Sequence, residues 1–113
     1  MELKLASEVV DGVTVITPDG RIVFGPEAAL LRESVKLAID ATKKVLLDLR
    51  KVSYIDSGGL GTLVSLHTSA HTAGGDMKLS GLSTRVIGLL QVTKLLTVFD
   101  VHESLESGLA SFR

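Results

Sequence analysis

Hydrophobic and polar residues alternate where the chain begins, with Leu3 and Leu5 set against Glu2 and Lys4. A run rich in β-branched residues follows at Val13-Thr14-Val15-Ile16-Thr17, and Asp11-Gly12 separates the two. Asp-Gly between such runs favours a tight turn, so the pattern predicts an opening β-hairpin. Pro18-Asp19-Gly20 reads as the end of its second arm, and residues 21–24 are compatible with a short extended piece. Gly25-Pro26 marks a helix start, because proline suits the first helical turn, and Leu31, Val35 and Ala38 follow at i, i+4 and i+7. The first helix is expected over residues 26–41.

Residues 43–49 form a compact apolar run with one interior acid, Asp48, as in a central strand covered on both faces. Residues 50–55 read as a connection. Ser57-Gly58-Gly59-Leu60-Gly61 opens a second helical pattern carried by Leu63, Leu66, Ala70 and Ala73, and Gly74-Gly75 stops it. Met77, Leu79 and Gly81 alternate with Lys78 and Ser80 to give a fourth strand, after which Ser83 can cap a third helix with Val86, Leu89 and Leu90 inward. Within the apolar residues 95–101 a short edge strand is expected at Val98-Phe99. Leu105, Leu109 and Phe112 supply the buried stripe of a last helix.

Strands that alternate with helices force crossover connections between parallel strands, so the expected class is α/β. The hairpin makes the sheet mixed, with four to five strands and about four helices. In such sheets ligands and partners are met at the carboxyl ends of the strands, where residues 56–61 fall.

Composition narrows the function. At 113 residues the chain fits one domain, 1–113, with no linker, repeat or low-complexity tract. Twelve Lys plus Arg against thirteen Asp plus Glu give a net charge of −1, and only 4% of residues are aromatic, so neither the field nor the stacking surfaces for nucleic acid are expected. The apolar fraction is 45%, yet no uninterrupted run approaches the roughly 20 residues of a spanning helix, and direct membrane insertion is not expected. The first residues resemble neither a signal peptide nor a lipidation site. With no cysteine, thiolate metal sites, disulfides and a cysteine nucleophile are excluded, and a cytoplasmic protein is expected.

Several chemistries compete for Asp56-Ser57-Gly58-Gly59-Leu60-Gly61. Asp-Ser-Gly-Gly surrounds the nucleophile of chymotrypsin-like proteases, but those run His, Asp, Ser along a longer all-β chain, and here His67, His71 and His102 all follow Ser57. A nucleophile elbow needs glycine where Ile55 stands. A phosphate-binding loop lacks its Gly-Lys-Ser/Thr, and a dinucleotide fingerprint finds Val64 where glycine or alanine is needed, which leaves only a small nucleotide-binding module as a minor alternative. The plain alternative is that Asp56 or Ser57 caps the helix while the glycines permit close packing on the strand. His67 and His71 share a helical face, but Thr68 stands where a zincin carries glutamate and no third ligand is evident. No catalytic residue, metal site or cofactor site is assigned, and the chain reads as a non-enzyme.

Tyr54-Ile55-Asp56-Ser57-Gly58-Gly59-Leu60-Gly61 resembles the signature Asp-Ser-Ser/Thr-Gly-Leu-Gly of the bacterial anti-sigma factor antagonists, which are stand-alone STAS domains. The resemblance extends to the opening hairpin, the Leu47-Asp48-Leu49 strand, a strand ending in Gly81 and the Leu-Leu-rich helix before Val98-Phe99. It implies a STAS fold and partner switching: the unmodified protein binds an anti-sigma factor with serine kinase activity and so frees a sigma factor for transcription. The kinase phosphorylates the serine after the motif aspartate, here Ser57, and a PPM-type serine phosphatase restores the binding form. ATP and Mg²⁺ belong to the kinase, so no cofactor is implied for this chain. Asp56, Gly58, Gly59, Leu60 and Gly61 support the motif, and Thr62, Ser65 and Ser69 are candidates for the partner surface. STAS domains also serve as regulatory subunits of transporters, including lipid-trafficking ABC systems, which is the alternative function. Two departures stand out: Gly58 occupies the usual Ser/Thr position, and Val23-Phe24 replaces a segment that is polar and contains Asp in many antagonists.

Overall fold

The computed structural model describes residues 3–113; Glu2, read above as part of the first alternating arm, lies outside the described residues. Strands β1 (Leu3–Val10) and β2 (Val13–Ile22) pair antiparallel, closed by Asp11 and Gly12 at φ 52° and 79°. Both angles are positive, as a type I′ turn demands, and this is the reason Asp-Gly stands there.

β2 does not stop at Pro18-Asp19-Gly20 but runs through it to Ile22. The reason lies in its other edge. Thr14–Ile16 pair parallel with β3 (Lys44–Asp48), whereas Gly20–Ile22 pair parallel with β4 (Val52–Ile55). Pro18 falls in the gap between these two pairings, where no ladder bond is required of the N–H it lacks. Gly20 faces Leu3 on one side and Val52 on the other, so β3 and β4 share one edge of β2 in succession. Residues 50–55, read as a connection, thus contain a strand. The step between β3 and β4 is held by Asp48, which accepts from the Arg50 N–H at 3.2 Å, and by the Val52 N–H donating to the Leu49 carbonyl at 3.0 Å.

Helix α1 (Pro26–Thr42) separates β2 from β3 and ends at Lys43, in the left-handed region at φ 64°. Helix α2 (Ser57–Thr72) follows β4, and β5 (Asp76–Ser80) pairs parallel with β3. Ser83 accepts from the Val86 N–H and caps α3 (Thr84–Val92), as expected. The edge strand β6 is Val101–His102, beside β5, and the expected strand at Val98-Phe99 is not formed. Phe99 is instead 4% exposed, its ring edge-on to His67 at 5.4 Å, and its N–H turns back to the Leu95 carbonyl. Helix α4 (Leu105–Ala110) closes the described chain. Among the described residues the fold is α/β with a mixed six-stranded sheet, order β1-β2-β3-β5-β6 with β4 also on β2, and four helices.

The larger core lies on the face covered by α1, α2 and α3, where Leu31, Val35, Leu63, Leu66 and Leu90 meet Ile16, Leu47 and Leu79. On the other face Val13, Val15 and Leu46 pack under Leu105, Leu109 and Phe112 around α4. Gly108 lets α4 sit close to the sheet, since a Cβ there would lie 2.9 Å from the Leu46 methyl groups and push them aside. Lys78 points to this second face and is fastened to the C-terminus, donating to the Ser111 carbonyl at 3.0 Å and hydroxyl at 2.9 Å with Phe112 at 4.4 Å.

Candidate functional site

Asp56, Ser57 and the glycines lie at the carboxyl end of β4, where the chain turns into α2. Asp56 has the extended backbone of an N-cap (φ −90°, ψ 179°), and its Oδ1 accepts from the Gly59 N–H at 2.7 Å. Both carboxylate oxygens also accept from the Phe24 N–H at 3.1 Å. One side chain thus fixes the start of α2 and the loop between β2 and α1. The Gly59 N–H above all, with the N–H groups of Phe24 and Gly58 and the Arg21 guanidinium, holds the Asp56 carboxyl below the usual carboxylate range against the opposing pull of partial burial. Of the two caps left open by the sequence, Asp56 is the one used.

A lowered folded-state pKa means that the carboxylate stabilises the domain above the unfolded value of about 4 and loses that contribution as the pH falls through the folded value. Asp56→Asn keeps an acceptor for the Gly59 N–H but has no charge to titrate. The stability advantage of the wild type over Asp56→Asn is therefore expected to be full at pH 7 and to shrink as the pH falls below about 4. Urea melts of both proteins from pH 7 to pH 3 check this, and a constant difference across the range contradicts it.

Ser57 is the first residue of α2 and is exposed, its backbone fixed by a neighbouring cap. Gly59 is buried, and a Cβ there would lie 2.0 Å from the Ile22 carbonyl oxygen, so the helix start rests directly on the backbone of β2. Gly58 lies against Phe24, whose Cβ would be 2.6 Å from any Cβ at position 58. Gly61 meets nothing within 4 Å, so no close approach demands glycine there, while Leu60 is a core residue at 6% exposure.

The partner-surface candidates separate. Ser65 is exposed and Ser69 half-buried, but Thr62 is 4% exposed and does not belong to an outer face. Its Oγ1 donates to the Gly58 carbonyl at 3.0 Å and accepts from Arg32 at 3.3 Å, which ties α2 to α1. Position 62 stands one turn below Gly58 on the side facing α1, and that is why its hydroxyl is spent internally. His67 and His71 are likewise divided, the first packed on Phe99 and the second exposed.

Two features at the site had no counterpart in the motif reading. Arg21 stacks over the Tyr54 ring at 5.1 Å, across the β2–β4 pair. Tyr54 and Ile55, with Val86, Leu89 and Val92 of α3 and the exposed Arg85, border an open groove of about 430 Å³. Neither could be read from the sequence, because both depend on β4, which its spacing does not reveal.

The fold and site define a class: a small α/β domain that displays a serine on a capped helix start at the carboxyl ends of parallel strands. More particularly, the chain belongs to the STAS domain family, whose model matches residues 4–108. It is 35% identical over 81 residues to the anti-sigma-B factor antagonist of Bacillus subtilis, covering 72% of this chain and 74% of that protein. Among solved structures, the Bacillus cell fate determinant SpoIIAA in its phosphorylated form shares the fold at a TM-score of 0.73 and 18% identity, covering 98% of this chain and 99% of that one. A sulfate transporter family protein from Wolinella succinogenes superposes at a TM-score of 0.79 and 26% identity over 92% of this chain and 87% of that one.

Proposed function

We propose that this protein is an anti-sigma factor antagonist that works by partner switching, regulatory rather than catalytic, with residues 1–113 forming one STAS domain. The observation that carries the reading is an exposed Ser57 at the first position of a helix already capped by Asp56, in a chain that is a 35% identical relative of an anti-sigma-B factor antagonist. Its partner is an anti-sigma factor. That factor is also the kinase that phosphorylates Ser57, and a PPM-type serine phosphatase reverses the modification in the cytoplasm.

The physical case for Ser57 as the switch is electrostatic. Phosphorylation adds about −1.5 to −2 charges, which takes the net charge from −1 to about −2.5 or −3 at one helix end. The helix start favours an anion by roughly 0.3–1 kcal/mol. Asp56, however, already holds the Gly59 N–H and repels a second negative group beside it. The phosphate has little to gain by folding back onto the domain, so its charge burdens the contact with the partner instead. The transporter-subunit reading has less behind it, since it draws on likeness to a transporter family protein and on no feature of the cap.

Incubation with the anti-sigma factors of the source genome and ATP, followed by mass spectrometry, tests the proposal. A single phosphate on Ser57 is expected. Transfer to another residue, or neither transfer nor binding with any of them, overturns the reading.

A further inference from the structure

The chain has four aromatic rings, three Phe and one Tyr. Phe99 is buried at 4% exposure, and Phe112 packs against Lys78 beneath α4. The other two both flank the Asp56-Ser57 cap: Tyr54 at 40% exposure and Phe24 at 81%. A phenyl ring left in water forgoes roughly 1.5–3 kcal/mol of burial, and the fold recovers little of it at Phe24, which is 81% exposed.

The segment that carries the ring is nevertheless fixed. The Phe24 N–H donates to both oxygens of Asp56 at 3.1 Å, which fixes the backbone, and the side-chain stem lies on the bare Cα of Gly58. Any side chain at 58 displaces residue 24 and the ring it carries, because an added Cβ would stand 2.6 Å from the Phe24 Cβ, 3.1 Å from Cδ1 and 3.2 Å from its Cα. Gly58 is the residue after Ser57, so the same turn of α2 presents the serine and seats the phenyl group. Aromatic residues, phenylalanine among them, are enriched at protein–protein interfaces, and one carried on a fixed backbone adds little ordering cost on docking.

We infer that Phe24 is the anchor of the protein–protein contact: its ring enters an apolar pocket of the anti-sigma factor bordering the place that receives the Ser57 hydroxyl, with Gly58 as the positioning residue that seats it. The inference rests on the antagonist reading above. It assigns to Phe24 the affinity and selectivity of the unphosphorylated state, and leaves to Ser57 the ability to cancel it.

The test is calorimetric titration of the unphosphorylated protein with the anti-sigma factor that phosphorylates it. Phe24→Ala is expected to weaken binding at least tenfold with an unchanged melting temperature, while Phe24→Leu, still apolar, stays within about fivefold of the wild type. Gly58→Ala is expected to weaken binding as well, and by less in the Phe24→Ala background than in the wild type: the added methyl still meets the Cβ and Cα of residue 24 there, but no ring is left to displace. Additive losses from the two substitutions mean that Gly58 acts on its own and overturn the coupling. Wild-type affinity in Phe24→Ala overturns the anchor and leaves the antagonist reading intact, whereas a wild type that binds no anti-sigma factor ends both. Size-exclusion chromatography guards the remaining case: a wild-type dimer dissolved by Phe24→Ala assigns the ring to a second copy of this chain and refutes the inference.

Discussion

Gly59→Ala is expected to cost about 3 kcal/mol or more, a loss of roughly 12 °C or more in melting temperature for a domain of this size. The added methyl would lie 2.0 Å from the Ile22 carbonyl oxygen and 2.8 Å from its carbon. That carbonyl cannot step aside cheaply. It accepts the Asp56 N–H at 3.2 Å and belongs to the residue paired with Ile55, so moving it opens the β2–β4 ladder just where α2 begins. Two positions along, the same substitution reverses sign. Gly61 is exposed within the helix and meets nothing within 4 Å, so Gly61→Ala gains the ordinary helix preference of alanine, about 0.5–1 kcal/mol. Thermal melts of the two variants check the contrast, and equal effects contradict the direct packing of α2 on β2.

The second large effect concerns binding. Phosphorylation of Ser57 is expected to weaken the complex with the anti-sigma factor about a hundredfold, which requires only ~2.7 kcal/mol of unfavourable contact. Seating a dianion against a surface shaped for a hydroxyl readily costs that much unless the partner supplies a cation for it. Ser57→Asp carries less charge and should weaken binding at least tenfold, while Ser57→Ala should bind as well as the unmodified protein and resist inactivation by ATP. All three forms are expected to melt within a few degrees of one another, since Ser57 lies outside the core. Titration of each form with the partner, alongside its melting curve, separates a switch acting on the complex from one acting on the fold. Equal affinity of Ser57→Asp and Ser57→Ala rules out charge as the signal.

The elements with strong periodicity were legible. Leu31, Val35 and Ala38 fall on the buried stripe of α1, Ser83 caps α3, and the Asp11-Gly12 turn is where its chemistry demands. Strand β4 was not legible, because in its four residues Ser53 and Tyr54 are both exposed and Val52 and Ile55 both buried, an i, i+3 spacing that breaks strand alternation and is too short to read as a helix. Pro18 misled for a different reason: local turn chemistry is overridden where the neighbouring strands leave a gap for an imide nitrogen. Val101–His102 gives way in the sequence to the more apolar Val98-Phe99, and only burial against His67 shows that Phe99 belongs to the core. At the candidate site the Asp-Ser-Gly-Gly string marked the turn into α2. The seat of Phe24 on Gly58 was beyond it, since the two residues lie 34 positions apart and meet only when β2 and β4 align.

The contact between Gly59 and the Ile22 carbonyl has one further consequence. It fixes the geometry of the helix start through main-chain atoms, which every variant of the surface retains. Residues such as Phe24 and Ser65 can then be exchanged without disturbing the serine's placement. A genome encoding several such domains thereby gains a means of keeping parallel signalling channels insulated: one rigid chassis, with a separate address written on each copy.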